Sequence, residues 1–203
     1  MIVIYASRYS FSIGRFHELE TNQGAVLPSC VVRGRKNPLH KAFSQRLRQR
    51  RSSTGKTLAE VAASAGLAGN SVVLYLESGE RAPRLDTVER IAYALDLSPA
   101  FLAYALEGEA RPPTKGLRCE GVAQRLADVR AARGLSVLAV AKLAGLSHTA
   151  VGNIERGTMP TLATAEALAK AIDLSPAWLA FGIGPRELPP RRKTRTAQPD
   201  ARG

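Results

Sequence analysis

Four short sequences recur in the same order along this chain, and a duplicated sequence is expected to fold as two like units. Gln45-Arg46-Leu47, Ala65-Gly66-Leu67, Glu77-Ser78-Gly79 and Asp96-Leu97-Ser98-Pro99-Ala100 return as Gln124-Arg125-Leu126, Ala144-Gly145-Leu146, Glu155-Arg156-Gly157 and Asp173-Leu174-Ser175-Pro176-Ala177. The offset shrinks from 79 to 78 to 77 residues, so two single-residue length changes separate the copies. Two copies of this length read as a duplicated small domain, not as a solenoid, which needs at least three shorter units.

In 203 residues there is room for two domains of about 65 residues, a size that can fold alone around a small core. Aromatic residues make up 5% of the chain, which favours helices packed through Leu, Val, Ile and Ala over an aromatic-rich sheet. The apolar runs fall short of the roughly 18 to 20 residues that span a bilayer. Met1-Ile2-Val3-Ile4-Tyr5-Ala6 lacks the basic start of a secretory signal. The expectation is a cytoplasmic protein with no membrane contact, associated with the nucleoid if DNA-bound. Cys30 and Cys119 stand alone, without Cys-x-x-Cys or a nearby His pair, and read as reduced thiols. His17, His40 and His148 are scattered; no zinc spacing, phosphate-cradling Gly loop or nucleophile elbow is present. No metal, no cofactor and no catalytic residue is expected.

The net charge of +12 lies mostly outside the repeats. Arg191-Arg192-Lys193-Thr194-Arg195 follows Pro189-Pro190 and reads as a disordered basic arm, and Arg111-Pro112-Pro113-Thr114-Lys115 as a shorter one. Such arms gain counterion-release energy on a polyanion, although a basic tail also serves solubility alone.

Periodicity within each repeat is helical and broken at regular places. Phe43, Leu47 and Arg51 share one face of a first helix whose other face holds Arg46, Arg48 and Arg50; Gly55 ends it. Thr57-Leu58-Ala59-Glu60 is a capping box that starts a second helix, which runs to a left-handed turn at Gly66. A third helix spans about Asn70 to Glu77 with Val73 and Leu76 inward, a fourth Leu85 to Leu95. Ser98-Pro99 and Ser175-Pro176 each start a last helix, Ser as cap and Pro in the first turn. Phe101 and Trp178, aligned after Ser-Pro-Ala, read as core anchors.

This order of elements resembles the Cro-like phage-repressor helix-turn-helix family, also called Xre: a capped short helix, an Ala-Gly-Leu turn, a helix ending in apolar-Glu-x-Gly, and a final Leu-Ser-Pro helix. The likeness covers about residues 41–107 and 120–182. It implies an all-α chain of two tandem five-helix lambda-repressor-like domains with disordered basic flanks. The expected division is a poorly ordered segment 1–40, a first domain 41–108, a basic linker 109–119, a second domain 120–185 and a tail 186–203. The family pattern implies structural ion pairs Arg51 with Glu77 and Arg130 with Glu155. It also implies that the third helix enters the major groove while the second helix's cap and the loop after the third hold phosphates. Phosphate contacts are therefore expected of Arg46, Thr57, Arg81, Arg84, Arg125, Ser136 and Ser147. Leu58 and Val137 stand where the family often has Gln.

With Val151 and Ile154 facing the core, His148, Thr149, Gly152 and Asn153 fall on the outward face of the second copy's third helix. Asn70, Ser71, Leu74 and Tyr75 align with them in the first. These eight are the expected base-reading positions, the alternative being an ordinary solvated helix face. Leu74 suits a thymine methyl, yet Val72-Val73-Leu74-Tyr75-Leu76 equally suits a protein contact. Gly152 suggests close approach to the duplex. The first copy, with Arg81 and Arg84, looks built to grip; the second, whose Gly157-Thr158-Met159-Pro160-Thr161 loop has no cation, to read.

A flexible linker leaves direct and inverted half-site orders open and brings adjacent half-sites about 34 Å apart within reach. The function expected is sequence-specific double-stranded DNA binding by a transcriptional regulator or repressor reading an asymmetric two-half site. The other readings are an antitoxin-like or adaptor protein with one repeat on a protein partner, a homodimer, and a nonspecific nucleic-acid binder.

Overall fold

The helix-start signals place the elements. In the computed structural model, which describes residues 39–80, 82–108 and 115–187, the first repeat comprises α1 (Phe43–Ser53), α2 (Leu58–Ser64), α3 (Asn70–Ser78), α4 (Leu85–Ala94) and α5 (Pro99–Tyr104). The second comprises α6 (Val122–Ala132), α7 (Val137–Ala144), α8 (His148–Glu155), α9 (Leu162–Ala171) and α10 (Pro176–Phe181). A 3₁₀ turn precedes each set, Leu39–Ala42 and Arg118–Gly121. Thr57 opens α2 through a complete capping box with Glu60, and Ser136, Ser147 and Ser175 each accept a backbone N–H at the starts of α7, α8 and α10. Gly66 and Gly145 turn the chain at φ 62° and 67°, a left-handed conformation that a Cβ penalises.

Leu47, Val61, Val73, Leu85 and Ile91 close the first core, and Leu126, Val140, Val151, Leu162 and Leu168 the second. The two cores are continuous. Leu102, Ala103 and Tyr104 of α5 are fully buried, as are Leu179 and Ala180 of α10, and the Tyr104 and Phe181 rings meet at 6.4 Å between centroids.

The seam between the repeats obeys the repeat's own offset. Leu85 N–H donates to the Pro160 carbonyl at 3.1 Å, and Leu162 N–H to that of Pro83 at 2.9 Å. An antiparallel bridge between Arg84 and Thr161 accompanies them. Glu166 of α9 accepts from the Leu39 and His40 backbone N–H groups at 2.9 and 3.0 Å. Glu89 of α4 accepts from the Arg118 and Cys119 N–H groups at 2.7 and 2.8 Å. Each pair maps onto the other under the offsets of 77 and 79 residues, which is the signature of an isologous, two-fold interface inside one chain. Each repeat's opening turn is thus capped by a carboxylate of the other.

Three expectations are corrected here. The repeats are not loosely jointed: reciprocal hydrogen bonds and a shared core fix their order. Residues 39–40 and 118–119, assigned to a poorly ordered segment and a linker, are docked turns, because Glu166 and Glu89 satisfy their backbone donors. Phe101 is 45% exposed and is no core anchor, while Trp178 is half-buried beneath the Arg186 guanidinium, 5.4 Å from the ring centroid. Cys119 is buried without a disulfide; burial and the Glu89 carboxylate hold its thiol above its ordinary pKa.

Candidate nucleic-acid interface

A helix pair presents a convex edge when a tight turn sets its members near perpendicular. In the second repeat Gly145 makes that turn, and α7 and α8 meet at a bend of 117°, within the range of helix-turn-helix units. Among the described residues no single helix is long and apolar enough to cross a membrane. The position of α8 relative to α6 is held by Arg130, whose Nε and Nη2 donate to Glu155 at 2.6 and 3.0 Å while Nη1 donates to the Leu135 carbonyl at 3.0 Å. Arg51 does the same in the first repeat, with 2.6 and 2.9 Å to Glu77 and 3.1 Å to the Lys56 carbonyl. These bidentate bonds hold both guanidiniums above their ordinary pKa against the pull of burial. Each pair ties the third helix of its repeat and the turn before α2 or α7 to the first helix.

With Val151 and Ile154 buried, α8 exposes His148 and Thr149 and half-exposes Gly152 and Asn153. With Val73 and Leu76 buried, α3 exposes Asn70, Ser71, Leu74 and Tyr75. The two faces differ in chemistry. Leu74 is 50% and Tyr75 46% exposed, an apolar pair where α8 has Gly and Asn. Gly152 is not open ground: the Arg156 guanidinium lies across it, 3.7 Å from where a Cβ would sit, and donates through Nη2 to Asn153 Oδ1 at 2.5 Å. Arg156, directly after Glu155 at the end of α8, was not among the residues singled out from the sequence.

Among the expected phosphate contacts, Arg46 and Arg125 have partners within their own repeat. Arg46 donates to the Leu102, Ala103 and Leu39 carbonyls. Arg125 likewise donates to those of Leu179, Ala180 and Arg118. Both guanidiniums cap the buried last helix of their own repeat, so their Nε and Nη2 donors are taken up inside the protein. Burial lowers the Arg46 pKa to about 10, opposed by Glu166, and lowers that of Arg125; both stay charged at neutral pH.

Thr57 has a partner as well. Its hydroxyl and backbone N–H both donate to Glu60, at 2.9 and 2.7 Å, so a carboxylate sits at the start of α2. These bonds from Thr57 hold Glu60 below its ordinary pKa, keeping it ionised. The start of α7 differs, because Ala139 stands where α2 has Glu60 and Ser136 donates nothing to a carboxylate. Ser147 caps α8 through the Ala150 N–H at 3.1 Å and is exposed. Arg84 is exposed, lies at the inter-repeat bridge and pairs with Asp86 at 3.2 Å. Arg81 lies outside the described residues, as do Cys30, residues 109–114 and the basic run 191–195. At these helix starts the second repeat carries the less acidic edge.

No group of His, Cys, Asp and Glu among the described residues is arranged to hold a metal. Residues 42–105 match a family model described as a helix-turn-helix domain, and residues 126–179 match one described as helix-turn-helix. No curated protein matches the chain.

Proposed function

Since this chain belongs to the Cro-like (Xre) helix-turn-helix family and carries two tandem copies, which makes it a DNA-binding protein of transcription-regulator type, we propose that it reads an asymmetric site of two unlike halves in inverted order. The observation that supports this is the isologous seam: the loops following α3 and α8 pair antiparallel through Arg84 and Thr161. Family members assemble two chains to set two reading helices one turn of DNA apart. Here one chain supplies both, related by an internal two-fold, so the half-sites are inverted and the unlike faces of α3 and α8 make them different in sequence.

The test is selection from a randomised duplex pool with the full-length protein at physiological salt, followed by hydroxyl-radical footprinting. The expected result is two dissimilar halves in inverted order, protected on one face of the duplex about one turn apart. Halves in direct order, or protection by one repeat alone, would overturn it. Binding that is steep in salt with no sequence enrichment would make the protein a backbone binder instead.

One observation favours a second reading for the first repeat. Leu74 and Tyr75 leave an apolar strip on α3, and Glu60 places negative charge at the adjoining helix start. An adaptor role for that repeat predicts that Leu74→Ala leaves DNA affinity unchanged while Thr149→Ala reduces it.

A further inference from the structure

We infer that Asn153 of α8 and Arg156, just past the end of that helix, act as one donor-rich pair that specifies a guanine in the second repeat's half-site. The inference rests on the reading above that α8 enters the major groove. Arg156 follows the last residue of α8, and helical side chains lean back toward the N-terminus of their helix. The guanidinium accordingly lies back over Gly152, 3.7 Å from where a Cβ would sit, in ordinary van der Waals range of the helix surface.

The hydrogen bond to Asn153 decides what the pair presents. A guanidinium has donors only, so the Asn153 atom facing Arg156 at 2.5 Å is the carbonyl oxygen. With Oδ1 so engaged, the amide shows its NH₂ outward. An asparagine with both groups free pairs adenine by donating to N7 and accepting from the N6 amine. One of the two Oδ1 lone pairs of Asn153 is thereby held by a cation, which weakens the accepting half of that arrangement. What remains is a cluster of donors from two side chains one helical turn apart, and the guanine edge, with N7 and O6 both acceptors, is the purine edge that satisfies it. Adenine N6 and cytosine N4 each oppose a donor to a donor.

The first repeat lacks the device. Tyr75 and Ser78 stand at the corresponding positions, and the Ser78 hydroxyl donates to the Tyr75 carbonyl at 3.0 Å. The guanine is therefore expected in one half only, which assigns α8 to that half.

The test combines selection with a base-analogue probe on the full-length protein. The selected site is expected to hold one strongly preferred guanine in a single half. Replacing it with 7-deazaguanine, which removes the N7 acceptor, should weaken binding about 5- to 100-fold. Arg156→Ala should flatten the preference at that base pair alone, and Asn153→Ala added to it should cost little more, because the two act together. Both positions lie on the surface, and unchanged thermal unfolding of each variant checks that the fold is kept. If Arg156→Ala weakens every sequence equally and leaves the guanine preference intact, Arg156 is a phosphate contact and the inference fails while site-specific binding stands. An enriched site with adenine at that position, or full tolerance of 7-deazaguanine, likewise overturns it. A protein with no sequence enrichment at all overturns this inference and the inverted-site reading together.

Discussion

At the scale of the residue, the charged groups that matter to the fold are those with fixed partners. Glu77 keeps only 3% of its side chain exposed, and Glu155 14%. Breaking a buried ion pair from one side strands the other charge, which costs about 3 to 5 kcal/mol when burial is full. Glu77→Ala is thus expected to destabilise more than Glu155→Ala, as read from the shift in urea midpoint at constant m-value. Arg46 works differently, through the Leu102 and Ala103 carbonyls of residues that are fully buried. Arg46→Met should leave these acceptors unpaired at about 1 to 3 kcal/mol each. Its signature is a stability loss with no change in the salt slope of DNA binding, since a phosphate contact would lower that slope by about one.

At the scale of the element, the reciprocal caps are the feature with a pH dependence. Burial alone would raise the Glu166 pKa, but the His40 imidazole bond at 2.7 Å and the Leu39 and His40 N–H groups outweigh it, leaving the carboxyl below its ordinary 4.5. A pKa lower in the folded state means that the unfolded chain takes up the proton first. The stabilisation is complete at neutral pH, begins to fade below about pH 4.5, and is gone once acid passes the folded value. Glu166→Gln should therefore be less stable than the wild type at pH 7 and lose less on acidification, measured by urea unfolding across pH 3 to 7. A second expectation concerns the starts of α2 and α7. Glu60→Ala removes the negative charge at the start of α2, so it should tighten DNA binding and steepen its salt dependence. The loss of the capping box works against this only through stability.

At the scale of the whole molecule, the shared core makes the two repeats one cooperative body. Tyr104 also donates its hydroxyl to the Leu162 carbonyl at 3.3 Å, so separating the repeats exposes a buried polar contact along with the apolar faces of α5 and α10. Thermal or urea unfolding is expected to show a single transition by circular dichroism and by Trp178 fluorescence, which reports on the second repeat alone. Two transitions, the first silent in fluorescence, would show that the repeats melt independently. Tyr104→Ala should lower the common midpoint, by the roughly 3 to 5 kcal/mol typical of an aromatic cavity.

Local signals carried much of this chain's architecture. Thr57, Ser98, Ser175 and the left-handed Gly66 and Gly145 act within one turn of themselves, so the helix starts, the turns and the inward faces at Val73, Leu76, Val151 and Ile154 were legible from spacing. The duplication was legible for the same reason, and so was the family. What the sequence left open is all long-range. Arg46 and Arg125 look like free surface cations until α5 and α10 bring their carbonyl ends within reach, and Phe101 looks like core until α5 packs through Leu102, Ala103 and Tyr104 and leaves it outside. Glu89 and Glu166 occupy equivalent places in the two copies, a signal present in the sequence, yet nothing there says that each caps the other copy's opening turn. Helix position and helix face follow from residues that are neighbours in the chain; which acceptor a guanidinium finds, and whether two copies face each other across a two-fold, depends on surfaces that exist only once both cores have closed.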